Sequence, residues 1–267
     1  MANDFLNENI LNKLVSNKSI NFKVFNSLES TNKTAKEFAE KGAKEGTVIV
    51  AKKQTGGRGR LGRNFYSPDG TGLYFSIILR PEFSPKENLL ITPAAAVAVS
   101  TAIESLLKAK TEIKWVNDIF AKGKKVCGIL SEAKLNAFVS TEYVILGIGI
   151  NLAMPKGGFP KDIEHIAGAL IETPKSDTAN EIIAKTVSNF FDIYDYENLR
   201  SKTVYNEYNK RLMLKGRNVG YTENGEVKSG TVLGIDRSFN LIIMQNDGKE
   251  IHLKSGEITI GSDQAIK

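Results

Sequence analysis

Gly56-Gly57-Arg58-Gly59-Arg60-Leu61-Gly62-Arg63 interleaves glycines with arginines. Glycine lets a backbone double back and aim its N–H groups inward, and arginine adds forked donors that match carboxylate and phosphate oxygens. The stretch reads as a loop that closes over an anion. Gly57 through Gly62 formally satisfies G-x-G-x-x-G after the strand-like run Gly46–Ala51, but a dinucleotide fingerprint must also open a helix. Here the chain runs into Arg63-Asn64-Phe65-Tyr66-Ser67-Pro68-Asp69-Gly70, which is turn chemistry. No G-x-x-x-x-G-K-[ST] occurs either, so both common nucleotide loops are excluded on context.

Four further segments carry residues that could act. In Lys114-Trp115-Val116-Asn117-Asp118, a strand would place Lys114, Val116 and Asp118 on one face. Asp118 would then sit at the strand exit, where a carboxylate can hold a divalent metal or an attacking amine. A plain strand with Trp115 in the core and an Asn-Asp turn explains the same residues. Lys125 enters the apolar run Val126–Leu130 and either snorkels to solvent or points at a bound anion. Cys127, on the same face by alternation, reads as a small buried apolar group. Gly147, Gly149 and Asn151 share a face of Leu146–Asn151, leaving room for a flat ligand or for close helix packing. Ser30-Thr31-Asn32 opens a helix. Capping explains three small polar residues there, and in a pocket they would also satisfy a small polar heterocycle.

The elements that must position these residues follow from periodicity. Residues 5–16 predict a short leading helix, Asn21–Asn26 a strand, and the stretch after Ser30 a helix carrying Ala35, Phe38 and Ala39. Thr71–Arg80 alternates Leu73, Phe75, Ile77 and Leu79 against Tyr74, Ser76 and Arg80, a half-buried strand. Ile91–Leu107 is an alanine-rich helix with Pro93 near its start. Glu112–Val116, Lys125–Ala133 and Glu142–Asn151 predict strands, and Thr178–Arg200 a long amphipathic helix with Ile182, Ile183, Val187, Phe190, Phe191 and Tyr194 on its apolar side. Beyond Leu214-Lys215-Gly216 the character changes to short strands with tight turns at Glu223-Asn224-Gly225-Glu226 and Asn246-Asp247-Gly248-Lys249. These are hairpin signals. The expected organisation is an α+β domain over residues 1–214 followed by a small β module over 215–267.

Composition sets the outer limits. The 267 residues are 41% hydrophobic and 25% charged with a net charge of +6, mild enough that charge alone does not argue for nucleic acid. One cysteine, Cys127, allows no internal disulfide and no cysteine zinc cluster. Two histidines, His165 and His252, do not make a multi-histidine metal site. The N-terminus lacks a basic region followed by an apolar one, and the longest apolar runs, near Pro93–Val99 and Tyr143–Ile150, fall short of a membrane span. The expectation is a cytoplasmic protein with no membrane partner.

Together, in this order and spacing, the segments resemble the biotin protein ligases. The resemblance rests on Ser30-Thr31-Asn32, Gln54 through Arg63, Leu73-Tyr74-Phe75-Ser76, Lys114 through Asp118, Lys125 through Leu130 and Gly147 through Asn151, and spans about residues 22–262. It implies a mixed-sheet, class II synthetase-like catalytic domain of the biotin/lipoate ligase type, followed by an SH3-like barrel. Val116 stands where proline is common in the family. About 20 residues precede the first strand, too few for the DNA-binding domain that some members carry, so no DNA partner is expected.

The resemblance also implies a chemistry. Biotin and ATP would form biotinyl-5′-AMP with Mg²⁺ as activator and no tightly bound cofactor. A lysine of a biotin carboxyl carrier domain would then take the biotinyl group. Ser30, Thr31, Asn32, Gln54, Arg58, Gly59, Arg60 and Lys125 would bind biotin. Arg58, Arg60, Arg63, Phe65, Lys114, Asn117, Gly149 and Asn151 would lie at the nucleotide. Lys125 and Arg60 would stabilise developing charge, and Asp118 would orient the acceptor amine or help to place the metal. Lipoate–protein ligase is the alternative within the superfamily, and a nucleic-acid-binding protein using Arg58–Arg63 the alternative outside it. Related enzymes include homodimers and monomers, and the sequence leaves that choice open.

Overall fold

In the computed structural model, which describes residues 5–173, 176–223, 226–256 and 258–260, a seven-stranded mixed sheet forms the centre. The chain enters through α1 (Glu8–Leu14), β1 (Asn21–Phe25), α2 (Thr31–Glu40) and β2 (Thr47–Ala51), so that α2 crosses between the parallel neighbours β1 and β2. It continues through β3 (Gly72–Leu79), α3 (Ile91–Leu107), β4 (Glu112–Lys114), β5 (Asp118–Ala121), β6 (Lys124–Leu135) and β7 (Thr141–Asn151). The strand order is β1-β2-β3-β7-β6-β5-β4, antiparallel from β2 onward. The leading helix is shorter than the predicted 5–16, and within it only Leu11 is buried.

Strand β3 corrects the expectation of a half-buried strand, because every residue of it is buried. Its odd-numbered residues Leu73, Phe75, Ile77 and Leu79 join the main core beneath α3, and Ile78 packs with Ile49, Ile145, Ala35 and Ala39 beneath α2. Helices cover both faces, so alternation signals which layer each residue enters rather than which one meets water. The helical run Glu87–Leu107, α3 with the turn before it, is long and apolar enough to cross a membrane, contrary to the sequence reading, but 67% of its apolar window is buried inside the protein. Its alanines let it lie close against the sheet.

Three other expectations change. The predicted strand Glu112–Val116 ends at Lys114. The chain reverses through Trp115–Asn117, with a cis Trp115–Val116 peptide, and β5 returns antiparallel so that Lys114 pairs with Asp118. Asp118 therefore starts a strand instead of leaving one, and β5 escaped prediction because four residues carry too little pattern. The predicted helix Thr178–Arg200 breaks into α4 (Ser176–Phe191) and α5 (Tyr196–Leu199). Tyr194 stacks on Phe190 at 5.2 Å, and the Asp195 carboxylate accepts from the Asn198 N–H at 2.8 Å, which starts a new helix. A third helix, α6 (Lys202–Arg211), was not predicted, and its buried Arg211 meets Glu104 of α3 at 2.7 Å.

After α6, strands β8 (Asn218–Glu223), β9 (Glu226–Ile235), β10 (Leu241–Gln245), β11 (Glu250–Leu253) and β12 (Ile258–Ile260) form an antiparallel sheet of order β11-β10-β9-β8-β12. The turn at Asn246–Gly248 joins β10 to β11 as predicted, with Gly248 at φ 85°. Asn224 and Gly225 lie outside the described residues, but β8 and β9 pair through Glu223 and Glu226 on either side. The apolar core runs continuously from the large sheet into this one. Trp115, 4% exposed, does more than fill space: its indole N–H donates to the Phe239 carbonyl at 2.8 Å and ties the β4–β5 turn to the second sheet.

Candidate active site

The register of the central strands builds the floor. Gly149 of β7 lies between Tyr74 of β3 and Gly128 of β6, and Gly147 lies between Ser76 and Leu130. Small residues at adjacent ladder positions leave a depression in an otherwise filled sheet. Above it opens a cleft of about 760 Å³ whose walls are the N-terminus of α2, the glycine–arginine loop, the β4–β5 turn, residues 159–167 and the edge of the second sheet at Gly256, Ile258 and Thr259. Ser30, Thr31, Asn32, Gln54, Arg58, Gly59, Arg60, Arg63, Phe65, Lys114, Asn117, Asp118, Lys125, Gly149 and Asn151 all line this one cleft.

The glycine–arginine loop forms a narrow hairpin of its own. Arg58 bridges Asn64, the Gly59 N–H donates to the Arg63 carbonyl at 2.7 Å, and the Phe65 N–H to the Gly57 carbonyl at 2.9 Å. The tip turns through left-handed Leu61 and Gly62, and no helix follows before β3. Gly57 is fixed by proximity: a Cβ there would lie 2.6 Å from Ser67 Oγ and closer still to the Phe65 carbonyl.

At the closed end, Ser30 precedes α2 without a side-chain cap bond, and Thr31 and Asn32 are turned into a buried network. Capping therefore does not explain these residues. The Thr31 N–H donates to Gln54 Oε1 at 2.8 Å, and Gln54 Nε2 donates to Ser67 Oγ at 2.9 Å. Ser76 Oγ lies 2.8 Å from Thr31 Oγ1 and 2.6 Å from Asn32 Oδ1, and Asn32 Nδ2 donates to Glu132 at 2.7 Å. A Cβ on Gly147 would collide with the Asn32 amide. Ser67 and Glu132 were not singled out in the sequence, and Ser76 was named only within a matching segment and given no role; only the pairing of β3, β6 and β7 brings Ser76 and Glu132 to Asn32.

Toward the open end the charges gather. Lys125 Nζ lies 2.8 Å from Asp118 Oδ2. Asn117 donates to Asp118 Oδ1 at 2.9 Å and to the Ile129 carbonyl at 3.1 Å, and Arg60 donates to Asn117 Oδ1 at 2.8 Å. Arg58 lies apart from this group, 3.9 Å from Glu29 beside the start of α2. Cys127 does not share the face of Lys125 as alternation predicted. A bulge opposite Ile119 and Phe120 resets the period, so Lys125 joins Gly128 in the cleft, and Cys127 is fully buried with its thiol pKa pushed up by desolvation and by the Asp118 charge. Among the described residues, no group of three or more His, Cys, Asp or Glu side chains converges on a metal position. Asp118 offers one carboxylate, already paired.

The bare glycine face is covered in two parts, Asn32 of α2 over Gly147 and the Phe65 ring over Gly149. A Cβ on Gly149 would lie 2.5 Å from Phe65 Cε1, and one on Gly128 would lie 3.2 Å from Phe65 Cε2. Tyr74 holds the ring from behind, edge to face at 6.4 Å. Asn151 sits at the end of the same face, its amide 3.5 Å from the Lys125 carbonyl. Residues 163–167 complete the wall, where the Lys125 N–H donates to the Ile166 carbonyl at 2.8 Å. Tyr66 and Phe159 meet at the rim, 6.5 Å apart.

Known proteins are similar to this chain in sequence and fold. Residues 24–151 match the Biotin/lipoate A/B protein ligase family. The chain is 37% identical over 240 residues to the bifunctional ligase/repressor BirA of Bacillus subtilis, an alignment covering 88% of this chain and 72% of that protein. It is 32% identical over 148 residues to the biotin–[acetyl-CoA-carboxylase] ligase of Mycobacterium tuberculosis, covering 54% and 52% respectively. The biotin protein ligase of Aquifex aeolicus in complex with biotin and ATP superposes with a TM-score of 0.71 at 26% identity, covering 90% of this chain and 98% of that one. With this fold, this cleft and these relatives, the chain belongs to the biotin protein ligases of the biotin/lipoate A/B protein ligase family.

Proposed function

We propose that the cleft carries out the ATP-dependent attachment of biotin to a lysine of a biotin carboxyl carrier domain, through biotinyl-5′-AMP. The observation that carries this reading is the polarity of the cleft: a buried amide-and-hydroxyl cage around Thr31 and Asn32, and Lys125 and Arg60 beside Asp118 and Asn117. A small heterocycle fits the cage, and the tail carboxylate reaches the cations.

In the first half-reaction a biotin carboxylate oxygen attacks the α-phosphorus of ATP, and the bond from that phosphorus to the β-phosphoryl oxygen breaks to release pyrophosphate. Lys125 is placed to bring two anions together and to neutralise the charge that develops between them. Arg60, held by Asn117, closes the loop over the mixed anhydride and keeps water from its acyl carbon. In the second half-reaction the carrier lysine's amine attacks that carbon, the bond to the AMP oxygen breaks, and the amine proton is lost. Asp118 lies beside Lys125, where it orients that amine. Phe65, Gly149 and Asn151 provide the flat wall for the nucleotide. Mg²⁺ enters as the partner of ATP, since phosphate oxygens and water supply most of its shell and the chain adds one nearby carboxylate, Asp118. The test is transfer to a carrier domain followed by mass spectrometry. Biotinylation of one lysine, lost when that lysine becomes arginine, supports the assignment; an unmodified carrier overturns it.

A further inference from the structure

The β4–β5 turn is held from two sides. From the cleft, Asn117 donates to Asp118 Oδ1 and accepts from Arg60, and its backbone carbonyl takes the Ile129 N–H at 3.0 Å. From behind, the Tyr208 hydroxyl donates to the Val116 carbonyl at 3.3 Å, and the Trp115 indole to the Phe239 carbonyl at 2.8 Å. Tyr208 of α6 is fully buried, and its ring meets Phe239 edge to face at 5.3 Å. The helix itself is a fixed post. Three residues on, Arg211 pairs with Glu104 of α3, and the Met213 N–H donates to the Ile113 carbonyl of β4 at 3.0 Å.

Packing explains the ring of Tyr208 but not its hydroxyl. A phenylalanine would fill the same space against Phe239 without a polar atom that needs a partner in the interior. The hydroxyl goes instead to the carbonyl that directly precedes Asn117. It also senses the charges across the turn. Burial first and then the Asp118 carboxylate push its pKa well above 10, while Arg60 opposes them. The phenol therefore remains a neutral donor at and well above neutral pH.

We propose that Tyr208 is a positioning residue for the reaction: by holding the Val116 carbonyl, it fixes where Asn117 and Asp118 stand relative to Lys125 and Arg60. The proposal rests on the biotin reading above, in which these groups serve the carboxylate, the α-phosphoryl group and the acceptor amine. Neither Tyr208 nor Phe239 lines the cleft, whereas Trp115, Asn117 and Asp118 do. Tyr208 thus acts through the turn and not on a ligand. The buried cage around Thr31 and Asn32 takes its hydrogen bonds from Gln54, Ser76 and Glu132 instead. The cage and the charged groups should therefore respond differently when Tyr208 changes.

The test is Tyr208→Phe in the full chain, which keeps the ring and deletes only the hydroxyl. The kcat for biotin-dependent pyrophosphate release should fall about tenfold, the scale of one hydrogen bond withdrawn from a buried acceptor. The biotin Kd, titrated calorimetrically without ATP, should stay within about twofold of the parent's, a split that a general loosening of the fold would not give. Trp115 is the single tryptophan of the chain, so its indole N–H resonance reports the turn directly. In the variant that resonance should shift or broaden. A kcat equal to the parent's, with or without a lower melting temperature, overturns the proposal and leaves the biotin reading intact. So does a biotin affinity that falls as far as kcat, or a reduced kcat with the indole resonance unmoved. A parent that releases no pyrophosphate with biotin overturns both.

Discussion

Phe65 and Gly149 are matched surfaces: the ring edge sits where a Cβ on residue 149 would have to be, 2.5 Å away. Only a residue without a side chain lets the aromatic ring reach the sheet, and the ring then forms one wall of the cleft that also contains Lys125. Gly149→Ala should push the ring off the floor. The fold has room to absorb this at the cleft, so we expect a KM for ATP raised about tenfold and biotin binding retained. Equal losses for both ligands would mean that the ring does not stand at the nucleotide.

Arg60 reaches across the cleft to Asn117 at 2.8 Å and so ties the loop to the β4–β5 turn. Arg60→Gly removes that tie together with one cation. The variant should still make biotinyl-AMP but release it to solvent faster than the parent, measured by trapping the free adenylate on rapid filtration. Retention equal to the parent would remove Arg60 from that role.

Lys125 is paired with Asp118 at the surface of the cleft, its side chain 29% exposed. Lys125→Ala should lower adenylate formation by about 10²–10³, the usual effect of losing one donor to a developing oxyanion. Its cost in stability should be small, because a partly exposed ion pair contributes little. A steep fall in melting temperature with near-normal turnover would show that Lys125 is structural.

Trp115→Phe removes the donor to the Phe239 carbonyl and leaves a buried acceptor unpaired, which costs about 1–3 kcal/mol. The loss should appear as lower thermal stability and faster amide exchange where Phe239 packs on Tyr208. Unchanged exchange there would mean that packing alone holds the two sheets together.

His252 and Asp236 give the second sheet a pH signature. Hydrogen bonds to Asp236 and then Glu250 raise the His252 pKa above its ordinary 6.5. Partial burial opposes ionisation of Asp236, but hydrogen bonds from His252 and Asn240 lower its pKa below the usual 3.8. The stabilisation from protonated His252 is complete below pH 6.5 and is lost as pH rises through the raised value. That from Asp236 is complete above pH 3.8 and is lost as pH falls through the lowered one. NMR titration should place the His252 midpoint above 6.5, and a midpoint at or below 6.5 contradicts the pairing.

Much of this was written in local pattern. The helix Ile91–Leu107 and the strand Asn21–Phe25 follow directly from apolar spacing, and the glycine–arginine loop announced itself through residue types that serve no core. What escaped depends on long-range register. Ser76 and Glu132 look like ordinary strand residues until β3 and β6 take places on either side of β7. Cys127 was assigned to the wrong face because one bulge in the β5–β6 pairing shifts the period by a residue, which the local sequence does not signal. The break after Phe191 was hidden for a related reason: Phe191 and Tyr194 suit an amphipathic helix, yet their ring contacts, 5.7 Å apart, form at a helix end.

The most direct test of the account is pyrophosphate release from ATP and Mg²⁺, with biotin and lipoate offered separately to the purified protein. Release that requires biotin and does not occur with lipoate is the predicted result. Release with lipoate alone, or with neither, would contradict the assignment of the cleft.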